Sequence, residues 1–164
     1  MHTELRNAMR NFATGVCIAS TYRDESGERE HDAVTINSLT SVSLDPPLVS
    51  MSLRRDSSFL ADLLTTKLWA VSILDIGADD IAKALAKDRT SRAITVDTMS
   101  ASVGECTGAL VVDSPSWLEC ELRQVVEAGD HVFVIGEVLV VGVQERRPPL
   151  IFLHGRFQTL GGVR

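Results

Sequence analysis

The segment Thr35–Ser43 concentrates neutral polar groups, with five hydroxyls and one carboxamide in nine residues. It continues a stretch that is typical of a strand, so these side chains are expected beside a strand end. Many neutral donors and acceptors with no charge among them favour a polar aromatic ligand over a charged one. A loop whose side chains cap their own backbone is the alternative.

A second segment, Ser52–Phe59, combines two arginines and three serines where a strand gives way to the first turn of a helix. Free N–H groups at a helix start, serine hydroxyls and guanidinium groups can together bind a phosphate. The alternative is an ordinary helix cap by Ser57 with solvated arginines. Taken together, the two segments suggest a ligand with a polar ring at one end and a phosphate at the other, and FMN is such a ligand.

Two histidines stand beside turns. His131 begins a strand directly after the turn Ala128–Asp130, where its ring could hydrogen-bond a carboxamide or a proton-exchanging ring. His154 opens the stretch His154–Phe157 near the end of the sequence. For both, a strand residue with no special task is the alternative. The cysteines fall outside any metal-ligand spacing, so no metal site is predicted.

The elements that must position these residues are mostly strands. Periodicity predicts strands over Gly15–Tyr22, His31–Ile36, Leu48–Leu53, Leu68–Leu74, Ser116–Val126, His131–Val143 and Leu150–Phe157. Short helices are predicted over Thr3–Ala13, Ser57–Leu64 and Asp79–Ala86. The polar stretch Lys87–Gly108 lacks periodicity and is predicted to be a surface loop.

About seven strands with no strand–helix alternation predict an antiparallel barrel rather than a doubly wound sheet. With 164 residues, of which 45% are apolar, the chain is long enough for one domain, residues 1–164. The motifs of Rossmann folds, P-loops, α/β-hydrolases and zinc proteases are absent. Any chemistry must therefore lie in the polar segments described above.

Charge and composition exclude several partners. The net charge is −6, so no basic field is available to bind nucleic acid or an anionic membrane. The first residues lack a secretory pattern, and no apolar run is long enough to span a bilayer, so a cytoplasmic protein is expected. The three cysteines are expected to be reduced thiols, with Cys17 and Cys120 buried in strands.

Four stretches, in this order along the chain, resemble one known family. They are L-R-N-A-M and F-A-T-G-V within Leu5–Val16, T-I-N-S-L-T-S-V-S-L-D-P-P-L-V at Thr35–Val49, A-G-D-H and G-E-V within Ala128–Val138, and P-L and G-R-F within Pro149–Phe157. The T-x-N-S-x-T-S-V-S-x-D-P-P run is the most specific. On these residues the chain resembles the flavin reductase domain of two-component flavin-dependent monooxygenases, a branch of the FMN-binding split barrels.

The resemblance implies a mainly β fold, a homodimeric six-stranded antiparallel split β-barrel of Greek-key type with a few short peripheral helices. It implies FMN or FAD bound near the subunit interface, and NADH or NADPH as the hydride donor. His131 is implied to be the catalytic residue beside the nicotinamide. The implied flavin-binding residues are Thr35, Ile36, Asn37, Ser38, Ser41, Ser52, Leu53, Arg54, Ser57, Ser58, Arg156 and Phe157.

Within this set, Thr35–Ser38 are implied to contact the ring and the ribityl chain. The residues implied to surround the phosphate are Ser52, Arg54, Ser57 and Ser58. The tail that carries Arg156 and Phe157 is implied to close over the flavin.

The chain departs from the family pattern at three places. Asp32 lies in the segment before the T-x-N-S run, where small residues are usual, and its carboxylate is expected to alter access to the ring. The segment Lys87–Arg92 replaces a D-[RK]-F-x-G type of sequence, and Leu153 stands where a histidine is frequent.

The function implied by the resemblance is NAD(P)H-dependent reduction of FMN or FAD, with the reduced flavin passed to a partner monooxygenase. In that chemistry the protein mainly holds two rings in contact, so no charged catalytic pair is needed. Two alternatives stay open. One is a split-barrel flavoprotein that keeps its flavin and acts directly on a small molecule, which the altered segment Lys87–Arg92 motivates, and the other is a flavin-binding module without turnover.

Overall fold

The computed structural model describes residues 1–160. Within them the helices are α1 (His2–Met9), α2 (Ser58–Thr66), α3 (Asp79–Leu85) and α4 (Arg89–Thr98), and a 3-10 turn spans Ile76–Ala78. The strands are β1 (Thr14–Gly15), β2 (Cys17–Glu25), β3 (Glu28–Ile36), β4 (Thr40–Leu44), β5 (Pro47–Arg54), β6 (Leu68–Ile73), β7 (Ala101–Val103), β8 (Leu110–Val112), β9 (Ser116–Ala128), β10 (His131–Val143), β11 (Leu150–Leu153) and β12 (Arg156–Thr159). The prediction of a mainly β fold with a few short helices is confirmed.

Seven antiparallel strands form the main sheet, in the order β3-β2-β6-β9-β10-β5-β4. Its longest hairpin joins β9 to β10 through the two residues Gly129 and Asp130. Gly129 has φ +63°, and such a left-handed first turn residue matches the twist of a two-residue hairpin. The register of β10 on β5 places His131 directly opposite Arg54.

Strands β3 and β4 lie at opposite edges of this sheet, yet only residues 37–39 separate them along the chain. In a flat seven-stranded sheet, strands at about 4.8 Å spacing would put the edges about 29 Å apart. The link from Ile36 to Thr40 can reach at most about 14 Å. The sheet must therefore curl until its two edges approach each other.

Ser38, inside this link, joins the two edges by hydrogen bonds. Its hydroxyl accepts a bond from the Ser52 N–H at 3.0 Å and donates one to the Ser52 carbonyl at 3.1 Å. Strand β4 pairs with β5 only as far as Ser50, so the Ser38 side chain continues the pairing where β4 has ended. A hydroxyl can do this because it both donates and accepts.

The curled sheet encloses the main core, to which β2, β5, β6, β9, β10 and helix α2 all contribute apolar side chains. Met51, Phe59 and Trp69 are fully buried there. A second core joins the other side of β2 and β3 to helices α3 and α4 and to the small sheet β1-β11-β12. Strand β3, which leads into the link 37–39, contributes to both cores, with Ile36 in the first and Ala33 in the second.

The surface loop predicted over 87–108 is wrong, because this stretch contains α4 and β7, the first strand of the short hairpin β7–β8. Asp88 caps α4 by accepting a bond from the N–H three residues further on at 3.1 Å. The buried face of α4 carries Arg92 as well as Val96. Arg92 donates two hydrogen bonds, of 2.7 and 2.6 Å, to Asp32 on β3. An arginine at a core position hides the helical period from a hydrophobicity pattern.

Two further segments differ from the prediction. The single strand predicted over Leu150–Phe157 is the hairpin β11–β12, because His154 and Gly155 have φ of +54° and +75°. Two successive left-handed residues are typical of a tight type I′ turn. The hydroxyl-rich segment also contains a strand that was not predicted, since Thr40–Leu44 forms β4.

None of the helices within residues 1–160 is long and apolar enough to cross a membrane. Cys17 and Cys120 are buried free thiols, as predicted. Burial raises the pKa of each to about 12, so both thiols stay neutral and inert at neutral pH. Cys106 is a free thiol on the surface.

The Ser38 hydroxyl is expected to stabilise the closed sheet. Ser38→Ala leaves the N–H and carbonyl of Ser52 without these partners, which should lower the free energy of unfolding by about 1–3 kcal/mol. Urea denaturation measures this difference. Ser41→Ala is the matched control, because Ser41 is exposed on β4. Equal midpoints for the two variants would contradict the role assigned to Ser38.

Candidate functional site

A cleft of about 330 Å³ lies where the curled sheet closes. It is formed by the end of β3, the link 37–39, the end of β5 with the cap of α2, the end of α3 and the first residue of β10. Nine of the thirteen site residues predicted from the sequence line it: Thr35, Ile36, Asn37, Ser38, Ser52, Leu53, Arg54, Ser57 and His131.

Some of the neutral polar side chains on one side of the cleft are already hydrogen-bonded within the protein, and others are not. The Thr35 hydroxyl donates to the Ala82 carbonyl of α3 at 2.7 Å, and the Ser38 hydroxyl is bonded twice to Ser52. The carboxamide of Asn37 is exposed and makes no hydrogen bond within residues 1–160. Asn37 is therefore the neutral donor and acceptor that is free to bind a ligand.

The arginine-serine segment supplies charge and a helix start. The Arg54 guanidinium donates to both oxygens of Asp56, at 3.0 and 2.9 Å, and this pairing lowers the pKa of the Asp56 carboxyl. Ser57 caps α2 and accepts a bond from the Leu60 N–H at 3.4 Å. The long distance makes this cap bond weak, so the Ser57 hydroxyl can also bind a ligand.

His131 lies at the edge of the cleft, at the start of β10. Its Nδ1 is 2.8 Å from the Asp130 carboxylate, and this contact lowers the pKa of Asp130. The Asp130 carbonyl in turn accepts a bond from the Arg55 N–H at 3.0 Å. The ring is therefore held through Nδ1, and Nε2 is the nitrogen left for a ligand.

Four lining residues were not predicted from the sequence: Val34, Leu85, Ala86 and Lys87. Leu85 ends helix α3, and Ala86 and Lys87 follow it directly. The Thr35 bond to Ala82 brings this helix against β3. Local sequence patterns do not predict a contact of this kind between segments that are distant along the chain. A lysine directly after a predicted helix was the signal available for Lys87.

Four predicted residues lie outside this cleft: Ser41, Ser58, Arg156 and Phe157. Ser41 is on β4, beyond the link, and Ser58 is already inside α2. Phe157 packs on Phe152 with ring centroids 5.6 Å apart, because the last strand folds back as β12.

A second cleft, of about 350 Å³, adjoins the first through Asn37. It lies between helix α1 and the residues Phe152–Gly155 that precede and form the last turn. Leu153, where a histidine is frequent in the family, lines this second cleft. The part of the tail that lies beside the candidate site is therefore the turn at His154. Arg156 is not part of it.

Asp32 does not line the cleft, although its carboxylate was expected to alter access there. Its side chain is buried against α4 and paired with Arg92. A third and larger cleft, of about 660 Å³, lies at the β2–β3 hairpin and is lined by Glu25–His31 residues and by Asp97. It contains none of the predicted site residues.

The chain is similar in sequence to proteins of known family. Residues 9–161 match the family described as flavin reductase like domain. The NADH-dependent FAD reductase of Streptomyces globisporus is 33% identical over 157 residues, which cover 94% of this chain and 84% of that protein. The reductase component of 4-hydroxyphenylacetate 3-monooxygenase from Thermus thermophilus is 29% identical, over 98% of this chain and 97% of that protein.

The fold is also similar to that of a solved flavin reductase structure. The flavin reductase component of a bacterial two-component tryptophan halogenase, BorF, aligns with a TM-score of 0.89 and 31% identity over 99% of both chains. Some other curated relatives are longer, and the chain spans less than half of their length. The chain belongs to the flavin reductase like domain family.

Proposed function

We propose that this protein is an NADH-dependent flavin reductase that supplies reduced FMN or FAD to a separate monooxygenase. The observation that carries the proposal is the cleft at the closure of the sheet, where nine residues expected to bind flavin and nicotinamide meet. The relatives support it, since they include an NADH-dependent FAD reductase and a monooxygenase reductase component.

The lining of the cleft fits a flavin. Ile36 and Leu53 offer apolar surface for a ring, and the Asn37 carboxamide can pair with its polar edge. The Arg54 guanidinium and the Lys87 ammonium both provide hydrogen-bond donors for the phosphate that FMN and FAD carry. We assign the flavin to this cleft on that match of chemistry.

A bound flavin would supply the redox chemistry by accepting a hydride from the nicotinamide coenzyme. The protein's part is to orient the two rings, which lowers the entropic cost of bringing them into a reactive geometry. We assign this task on the nicotinamide side to His131, whose ring is fixed by Asp130 and whose Nε2 can bind the carboxamide of the coenzyme. None of these steps needs a nucleophile from the chain.

Delivery to a partner requires that reduced flavin leaves the site. The cleft is open to solvent along the exposed side chains of Asn37, Arg54 and Lys87, which suits a flavin that exchanges. The T. thermophilus relative is the reductase component of a monooxygenase, and on this ground we propose a monooxygenase as the partner. A cytoplasmic location stays a prediction.

We also propose that the six long strands β2, β3, β5, β6, β9 and β10 form a split barrel that pairs as a homodimer. The short link 37–39 supports the barrel, since it forces the sheet to curl. Exposed apolar side chains on β10 support the dimer: Phe133 is 43%, Leu139 43% and Val141 54% exposed. A row of this kind on one strand is typical of a surface that a partner covers.

The activity is tested by mixing the pure protein with NADH and either FMN or FAD under air. Steady oxidation of NADH that depends on free flavin is expected. Tightly retained flavin without such turnover would favour a flavoprotein that acts directly on its own substrate. Reversible flavin binding with no NADH oxidation would leave only a binding module, and either of these two results would overturn the proposal.

His131→Asn is expected to raise the KM for NADH or to lower kcat. The loss of one hydrogen bond, about 0.5–1.5 kcal/mol, corresponds to a change of roughly two- to tenfold. Steady-state kinetics measures both constants, while flavin affinity and thermal stability should stay unchanged. The matched control is His2→Asn, on the exposed face of α1. Unaltered NADH kinetics in His131→Asn would remove this residue from the site.

The dimer is tested by sedimentation at micromolar concentration. The unchanged protein should sediment with twice the mass of one chain, and Val141→Glu should shift it towards the monomer because a buried unpaired carboxylate is costly at an interface. Val103→Glu is the control, since Val103 is 60% exposed on β7 and away from this row. A monomer for the unchanged protein with flavin present would exclude the proposed dimer.

A further inference from the structure

Lys87 stands at the corner between two helices, one residue beyond the pair Leu85 and Ala86 that line the same cleft. Helix α3 ends at Leu85 and α4 begins at Arg89, so the corner is only three residues long. Lys87 was not among the residues predicted to bind flavin. Its position in the wall of the cleft gives the site a cation from outside the arginine-serine segment.

The backbone of this corner is held from within the fold by a buried ion pair. Arg92 is 6% exposed and Asp32 is 2% exposed. Two nitrogens of Arg92 bind the Asp32 carboxylate, at 2.7 and 2.6 Å, and a third donates to the Lys87 carbonyl at 3.1 Å. One guanidinium thus connects strand β3 directly to the residue that lines the cleft.

Neighbouring contacts fix the same corner on its other side. The Asp88 carboxylate caps α4, and Arg89 donates to Asp62 on α2 at 2.7 Å and to Glu30 on β3 at 3.2 Å. Three elements around the cleft, β3, α2 and α4, are therefore tied together by charged side chains. The backbone of Lys87 has little freedom as a result.

Charge pairing distinguishes the two cations of the cleft. Arg54 is bound through two nitrogens to Asp56, so its charge is already balanced. The Lys87 ammonium has no carboxylate within salt-bridge distance in residues 1–160, in contrast to Lys83, which binds Asp79 at 2.7 Å. Lys87 therefore brings the unbalanced positive charge that a phosphate would meet.

We propose that Lys87 is a specificity-determining residue that binds a phosphate group of the ligand, and that the Asp32–Arg92 pair is a positioning device for it. The inference rests on the proposed function only in assuming that this cleft binds a phosphate-bearing ligand. That phosphate belongs either to the flavin or to the nicotinamide coenzyme, and the chemistry of recognition is the same.

The buried Asp32–Arg92 pair is better suited to positioning the corner than to stabilising the fold. Removing two charges from water is costly, and a buried ion pair contributes little net stability compared with apolar residues of similar volume. A planar guanidinium can, however, bind a carboxylate and a carbonyl together in a fixed geometry, which neither an apolar residue nor lysine can do. The pair is therefore suited to orient the corner that carries Lys87.

The test replaces Lys87 by glutamine and measures equilibrium binding, without turnover. Loss of a charge-assisted hydrogen bond should weaken binding of the phosphate-bearing ligand about tenfold or more. Titrations with FMN and riboflavin test the flavin phosphate, and titrations with NADP⁺ and NAD⁺ test the extra phosphate of the coenzyme. Lys87→Arg should retain most of the preference, and Lys83→Gln is the matched control.

A fall of the FMN-to-riboflavin ratio assigns the flavin phosphate to Lys87, and a fall of the NADP⁺-to-NAD⁺ ratio assigns the coenzyme phosphate. The proposal is overturned if both ratios stay within about twofold of those of the unchanged protein, because the loss of one hydrogen bond would change affinity by more than that.

The positioning role is tested by Arg92→Lys, which keeps a cation beside buried Asp32. This variant should lower the same affinity ratio when Lys87 is present and should leave it unchanged in the Lys87→Gln background. A purely structural role for Arg92 would change riboflavin and FMN binding alike, and it would do so in both backgrounds. Equal effects in the two backgrounds would therefore exclude the positioning role.

The outcome is separable from the proposed function. A protein that oxidises NADH with free flavin but shows no dependence on Lys87 supports the function and refutes this inference. A protein that does not oxidise NADH but loses its preference for FMN in Lys87→Gln refutes the function and supports the inference.

Discussion

The three-residue link between the edges of the main sheet constrains everything around the candidate site. Because residues 37–39 cannot span a flat sheet, β3 must approach β5, and Ser38 makes that approach specific by bonding to both the backbone N–H and the carbonyl of Ser52. The cleft is the space left where these two edges meet. The polar residues of the link are therefore at once part of the fold and part of the site.

A second constraint is electrostatic. Asp32 and Arg92 stand at two places where the chain departs from the family pattern, and the structure pairs them within 2.6 Å in a buried position. Each alone would be a costly buried charge, so either one requires the other. The segment Lys87–Arg92, which departs from the family pattern, is in this way joined to β3, the strand that leads into the candidate site.

The short strands β4, β7 and β8 were not predicted. The long strands and helices α1, α2 and α3 could be predicted, because their apolar residues follow a period of two or of about 3.6. Helix α4 could not, since a buried arginine replaces an apolar residue on its inner face. Glu119 is similar, because it is a charged residue of β9 that is only 1% exposed and accepts hydrogen bonds from the backbone of Cys106 and Thr107. Of the site, the contiguous motifs were readable, whereas Lys87 depends on a contact between distant segments.

The central claim is that flavin binds where the sheet closes and not in the larger cleft at the β2–β3 hairpin. It is tested most directly by titrating isotope-labelled protein with FMN and following backbone amide chemical shifts. The account predicts that the largest shifts fall on residues 35–38, 52–54, 57 and 131, which line the cleft at the closure. Largest shifts at Glu25–His31 and Asp97, around the cleft of about 660 Å³, with the closure residues unmoved, would contradict it.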